Sequence, residues 1–118
     1  MQEGSIIMGN EEMLRAVGER ISGRRKQLKM TQEELAARMD VSTQMISYAE
    51  QGRKAMRPEN LAKLCAALQI SADYILTGKP GIAEYDRISA KLALLSPEEL
   101  VLVEGIIDSC ISLTKKRL

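Results

Sequence analysis

A chain of 118 residues with a net charge of +1 has room for one compact domain plus an appendage. Apolar residues make up 45% of it but include no Trp, no Phe and only three Tyr. The core is therefore expected to be aliphatic, which suits helices better than a sheet, and the fold class is expected to be all-α. The absence of histidine and of any Cys-x-x-Cys pair removes the usual zinc ligands, so no metal and no cofactor are expected.

In chain order, residues 1–12 read as a flexible tail, with Asn10-Glu11-Glu12 as the first helix-start signal. Leu14, Val17, Ile21 and Leu28 then recur at helical spacing, although Gly18 and Gly23 weaken the interior. Thr31-Gln32-Glu33-Glu34 fits a capping box for a second helix carrying Leu35, Ala36 and Met39. The chain breaks at Asp40-Val41-Ser42, and Ser42 caps a third helix that Gly52 stops. Pro58 opens a fourth helix with Leu61, Leu64, Cys65 and Leu68 on one stripe, and Ser71 caps a short fifth one ending near Gly78. Thr77-Gly78-Lys79-Pro80-Gly81 marks a linker. Beyond it, Tyr85, Ile88, Leu92 and Leu95 form one amphipathic seam. Ser96-Pro97-Glu98-Glu99 restarts the chain into a last helix with Leu100, Val103, Ile107 and Cys110. The expected organisation is a tail (1–12), a five-helix domain (13–79) and a two-helix extension (80–118).

Cys65 and Cys110 lie far apart among apolar neighbours and read as reduced, buried thiols rather than a disulfide. No apolar run is long enough to span a bilayer, and the N-terminus lacks a signal-peptide pattern, so a cytoplasmic location is expected.

Within residues 15–78, the joint spacing of Thr31-Gln32-Glu33-Glu34-Leu35-Ala36, Val41-Ser42, Ile46 to Gly52, Leu61-Ala62-Lys63-Leu64 and Asp73 to Gly78 resembles the Cro/lambda-repressor-like (XRE-type) helix-turn-helix family. Two short helices crossing steeply need a small residue where their backbones meet, which Ala36 supplies. The turn needs a left-handed residue. Family members usually place Gly there, and Asp40 stands in its place as a tolerable substitute. Ala49 is a second departure, because a larger apolar residue is usual. It is expected to underfill the core unless Met45 or Met56 compensates.

The resemblance implies that the third helix enters the major groove of double-stranded DNA. It exposes Thr43, Gln44, Ser47, Tyr48 and Gln51, with Gln44 the best candidate for reading adenine N6 and N7. It implies phosphate contacts from Gln32 at the start of the second helix and from Arg53, Lys54 and Arg57 past the third. Arg25 and Glu50 match positions that form a structural ion pair in some relatives. Arg24, Lys26 and Lys29 are weaker DNA candidates.

Family members usually dimerise to read two half-sites, and the apolar faces after Pro80 are too wide for solvent. A homodimer through residues 84–113 is expected, with Leu92, Leu95, Leu100, Val103, Ile107 and Cys110 in the seam; the alternative is that these helices fold back on their own domain. The function implied is a transcriptional regulator, a repressor on a palindromic operator. The alternative is an antitoxin-like or accessory protein whose last helices hold another protein. With no histidine, no phosphate-binding glycine loop and no acid pair in an evident cleft, an enzyme is not expected.

Overall fold

The computed structural model describes residues 3–117, and the side chains of residues 10–115. The described residues are helical with no strand: α1 (Glu3–Gln27), α2 (Gln32–Met39), α3 (Thr43–Glu50), α4 (Pro58–Leu68), α5 (Ala72–Thr77), α6 (Ile82–Leu92) and α7 (Pro97–Arg117). The chain divides into two compact units, Met1–Glu84 and Tyr85–Leu118. In the first unit, α1 packs on α3 and α5, α2 on α3 and α4, and α4 on α5. Helix α1 begins at Glu3, seven residues before the start expected at Asn10, so residues 3–12 of the expected tail are helix. Asn10 is a good cap, but it does not force a start, and no proline in residues 3–12 bars helical dihedrals.

One local device recurs three times in the first unit. Helices α1, α2 and α4 each stop at a non-glycine residue in the left-handed region: Lys29 (φ 57), Asp40 (φ 56) and Gln69 (φ 55). The next residue is apolar in each case, and its N–H reaches back to a carbonyl five residues earlier. Met30 donates to Arg25 at 3.1 Å, Val41 to Ala36 at 3.0 Å and Ile70 to Cys65 at 3.2 Å, the 6→1 bond of a Schellman motif. A left-handed L-residue costs about 1–2 kcal/mol. That cost is offset by swinging Met30 and Ile70 into the core, where they are buried. The following residue is Thr31, Ser42 or Ser71, and each side chain accepts the N3 backbone N–H of the next helix. Every turn thus ends one helix, anchors an apolar side chain and starts the next helix within four residues.

The core consists of Ile21, Met30, Leu35, Ala36, Met39, Ile46, Ala49, Leu64, Leu68, Ile70 and Ile75. Leu14 on α1 and Leu28 just past its end are half-buried, and Val17, Val41, Leu61 and Cys65 are partly buried against the core. Gly18 is more than a weak point in α1. A Cβ there would lie 2.6 Å from the Ala49 carbonyl oxygen and nearer still to that of Glu50, so glycine lets α1 cross the end of α3. Gly52 (φ +72) does the same from the other side, where a Cβ would sit 2.9 Å from the Arg15 backbone. Arg20 and Arg24 act within the scaffold. Arg20 Nη1 donates to the Ile75 carbonyl at 2.9 Å and Arg24 Nε to the Leu68 carbonyl at 2.8 Å, closing the ends of α5 and α4.

The first unit extends past the expected linker to Glu84. This carboxylate is buried and accepts from the Ser71 hydroxyl (2.6 Å), the Ser71 N–H (2.8 Å) and the Gly81 N–H (2.6 Å). Burial opposes its ionisation, but the bonds from Ser71 and Gly81 outweigh that and lower its pKa to about 2. The turn after α5 is therefore tied down rather than free.

The second unit is mostly α7, whose N-terminus carries a capping box: Glu99 N–H donates to Ser96 Oγ at 3.2 Å and Ser96 N–H to Glu99 Oε1 at 2.9 Å. Both cysteines are free thiols. Burial raises the pKa of the half-buried Cys65, whereas Cys110 is exposed, contrary to the buried thiol expected there. It lies on α7, where Leu100, Val101, Leu102, Ile106, Ile107, Ile111 and Leu113 are also exposed. No helix among the described residues is long and apolar enough to cross a membrane.

Candidate nucleic-acid interface

The site is built by α2, the turn at Asp40, α3 and the loop that follows. The capping box at α2 is complete: Glu34 N–H donates to Thr31 Oγ1 at 3.0 Å, and Thr31 N–H to Glu34 Oε1 at 2.8 Å. Those bonds hold the Glu34 carboxyl below its usual range. Ser42 Oγ accepts from Met45 N–H at 3.1 Å and fixes the start of α3. Ile46 and Ala49 are the buried residues of α3 and attach it to the core. Because the helix repeats every 3.6 residues, anchoring at 46 and 49 turns 44, 47, 48 and 51 away from the core and leaves 43 on the flank of the first turn. Thr43, Gln44 and Gln51 are exposed, and Ser47 and Tyr48 are half-buried.

These polar side chains are organised among themselves. Gln44 Nε2 donates to Tyr48 Oη at 2.8 Å, and Gln51 Nε2 to Ser47 Oγ at 3.0 Å. A carboxamide nitrogen has two N–H groups, so Gln44 keeps one N–H and its carbonyl oxygen for another partner. The Arg53 guanidinium lies 4.5 Å from the Tyr48 ring centroid and the Lys54 ammonium 5.5 Å. Arg53 Nη1 also donates to Gln51 Oε1 at 3.4 Å. The exposed Arg57 completes a cationic rim just beyond α3.

Beneath this face lies a charged brace. Arg25 Nε donates to Glu50 Oε2 at 2.7 Å and Arg25 Nη2 to Glu50 Oε1 at 3.0 Å, a bidentate pair. The pair leaves only 10% and 7% of the two side chains exposed. Arg25 Nη1 also donates to the Met30 carbonyl at 2.8 Å, inside the turn between α1 and α2. The hydrogen bond to Glu50 raises the Arg25 pKa despite desolvation, so the guanidinium stays charged. Gln32 Nε2 donates to Glu50 Oε1 at 3.0 Å, tying the first turn of α2 to the last turn of α3. One carboxylate therefore holds α1, α2 and α3 together. Gln32 is half-buried and Arg25 buried. Arg25 thus sits behind the exposed face rather than on it.

All nine residues singled out for DNA, together with Arg25 and Glu50, lie in the first unit. Leu92, Leu95, Leu100, Val103, Ile107 and Cys110 lie in the second, the first two and Val103 half-buried and the others exposed. Three structural contributors escaped the sequence reading. Gly18 was visible only as a helix weakness, and Met30 and Ile70 lie between helices, outside any stripe. The last two do carry a signal, an apolar-polar-apolar-Ser/Thr run, which occurs as Leu28-Lys29-Met30-Thr31, Met39-Asp40-Val41-Ser42 and Leu68-Gln69-Ile70-Ser71. Among the described residues no cluster of His, Cys, Asp and Glu could hold a metal.

Comparison with known proteins agrees with this geometry. A family model described as helix-turn-helix matches residues 21–75. The HTH-type transcriptional regulator DicA of Escherichia coli (strain K12) is 39% identical over 88 residues, 75% of this chain and 64% of that protein. Repressor protein C2 of Salmonella phage P22 is 45% identical over 62 residues, covering 52% of this chain and 29% of that protein. The chain thus spans less than two thirds of the length of either relative. A crystal structure of the P22 c2 repressor protein with a synthetic operator in the presence of thallium ions aligns at a TM-score of 0.52 and 44% identity. That alignment covers 53% of this chain and 96% of that one. With the capped α2, the left-handed turn and the braced α3 all in place, this chain belongs to the lambda-repressor-like (XRE-type) helix-turn-helix family.

Proposed function

We propose that the protein is a sequence-specific, double-stranded DNA-binding transcriptional regulator, located in the cytoplasm, that inserts α3 into the major groove. The observation that carries this reading is the division of α3. Its apolar residues Ile46 and Ala49 are buried, while Thr43 and Gln44 are exposed, and Arg53, Lys54 and Arg57 follow in the loop past the helix. Gln44 pairs with an adenine edge through its carbonyl oxygen and remaining N–H. Thr43 and Ser47 bond base or phosphate, Tyr48 and Gln51 contact the sugar-phosphate chain, and the cationic rim neutralises phosphates. Gln32 contacts a phosphate from the start of α2 while holding Glu50. Arg24 is left out, because its guanidinium closes the end of α4.

Regulation by occupancy, that is repression, agrees with the name of the P22 relative, repressor protein C2. One recognition helix reads few base pairs, so the functional species is a homodimer on a palindromic site, with half-sites about 34–36 Å apart. The exposed apolar residues of α6 and α7, among them Tyr85, Ile88, Leu100 and Ile107, supply the joining surface. At 100° per residue, α7 carries two apolar stripes about 120° apart: Leu100, Val103, Ile107 and Ile111 on one, Leu102, Ile106 and Leu113 on the other. The second stripe favours a further reading, an accessory or antitoxin-like role in which another protein covers Leu102 and Ile106. Selection of bound fragments from random duplex DNA tests the main reading. A two-fold symmetric motif with one-turn spacing is expected, and recovery of no common motif refutes it.

A further inference from the structure

We propose that the hollow walled by α1, α3, α4 and α5 binds a small aliphatic carboxylic acid. The hollow has a volume of about 430 Å³, within the range of roughly 300–1,000 Å³ found for small-molecule sites. It exists because α3 presents only a methyl group there. Ala49 is buried against the core, and Met56, which packs in from the following loop, lines the space without closing it.

The lining defines the ligand. Leu14, Val17, Ile21, Leu61, Leu64 and Leu76 offer aliphatic surface with no aromatic ring for stacking, which suits a saturated tail whose transfer from water is worth about 0.8 kcal/mol per methylene. Among the described residues that line it, two carry polar side chains, Asn10 and Lys54, and of these only Lys54 is charged; its ammonium rests 5.5 Å from the Tyr48 ring centroid, at the far side of the loop. A carboxylate head answers both, accepting from the ammonium and the amide. A cationic head would meet like charge, and a plain hydrocarbon would gain no polar contact from either side chain.

Occupancy reaches the DNA face through the same loop. Lys54, Ala55 and Met56, with Ala49, also wall a second hollow of about 290 Å³ shared with Gln44, Tyr48 and Arg57. The loop therefore has open space on both sides. A carboxylate bound in the first hollow holds Lys54 on that side and removes one cation from the rim beside Tyr48. This coupling rests on the DNA-binding reading above, whereas binding in the hollow does not. By linkage, duplex and acid each weaken the other.

Titration of decanoate into the full chain, below its micelle concentration, tests the proposal by methyl NMR and thermal unfolding. Saturable shifts are expected at Val17, Ile21, Leu61 and Leu64, with a Tm that rises with decanoate. Decanol should bind about tenfold more weakly, the loss of one charged hydrogen bond. Ala49→Leu should abolish the shifts and raise the Tm of the free protein by filling the space. If that variant fails to fold, Val17→Phe blocks the same space from α1. Shifts confined to α6 and α7, equal binding of decanol, or shifts undiminished by a folded blocking variant overturn the site. Saturating decanoate should weaken duplex binding by about fivefold or more, and unchanged duplex affinity overturns the coupling. A protein that binds no duplex even without decanoate refutes the DNA reading alone, since the methyl shifts are read independently of it.

Discussion

The two units of this chain spend their apolar residues in opposite ways. In the first, Ile21, Leu35, Met39, Ile46, Leu64, Leu68 and Ile75 are almost wholly withdrawn from water, and α1, α2, α4 and α5 each end at a left-handed turn, the last two also held by an arginine. In the second, Val101, Leu102 and Ile106 are each more than 60% exposed, although α7 is well capped. Capping and helix propensity are local and act in both units, whereas burial needs a second surface, which only the first unit contains within itself. The first unit is thus a finished scaffold. The second leaves apolar side chains exposed, which is why the assembly is proposed through it.

The contrast can be broken first at the brace. Glu50→Ala removes the partner of a nearly buried guanidinium, and a loss of about 3–5 kcal/mol is expected in urea unfolding. A loss below about 1 kcal/mol would mean that the first unit does not depend on that pair. Gly18→Ala comes next. The added methyl meets the backbone carbonyls of Ala49 and Glu50, so about 1–3 kcal/mol of overpacking should outweigh the helix-propensity gain of under about 1 kcal/mol. Stabilisation by this change would show that α1 and α3 are not so closely crossed.

The boundary between the units is sharpened by pH. The Glu84 carboxyl titrates near about 2 in the folded chain and near 4.3 when unfolded. A lowered folded value contributes stability that is full above about pH 4.3 and is lost as pH falls toward 2. The stability gap between the parent chain and Glu84→Gln should follow that course in chemical unfolding, and a gap constant from pH 7 to pH 2 would contradict it. The smallest effect is expected in the second unit. Ile107→Asp should change the unfolding free energy of the first unit by no more than about 0.5 kcal/mol while converting the proposed homodimer to monomer by light scattering. A dimer that survives would move the joining surface elsewhere.

Much of the first unit could be read from residue order because its signals are local. Thr31, Ser42 and Ser71 as caps, Pro58 as a helix opener and Asp40 as the left-handed turn residue each act within four positions. Lys29 and Gln69 take the same conformation, but neither side chain favours it. Only the burial of Met30 and Ile70 explains them, and that is a tertiary fact. Glu84 was hidden for the same reason, since its partners Ser71 and Gly81 lie across what reads as a linker. The polar face of α3 was legible through family resemblance, whereas the contacts of Arg53 and Lys54 with Tyr48 needed coordinates.

The central claim is that α3 turns its Gln44 side to a duplex while Ile46 and Ala49 hold it to the scaffold. Duplex affinity measured over a panel of single-base variants and several salt concentrations, for Gln44→Ala and Arg53→Ala side by side, tests it most directly. Gln44→Ala should lose about 1–3 kcal/mol of discrimination at one base position, and Arg53→Ala should weaken every sequence alike and reduce the salt slope by about one unit. Uniform weakening by Gln44→Ala with its base preferences intact would contradict the account.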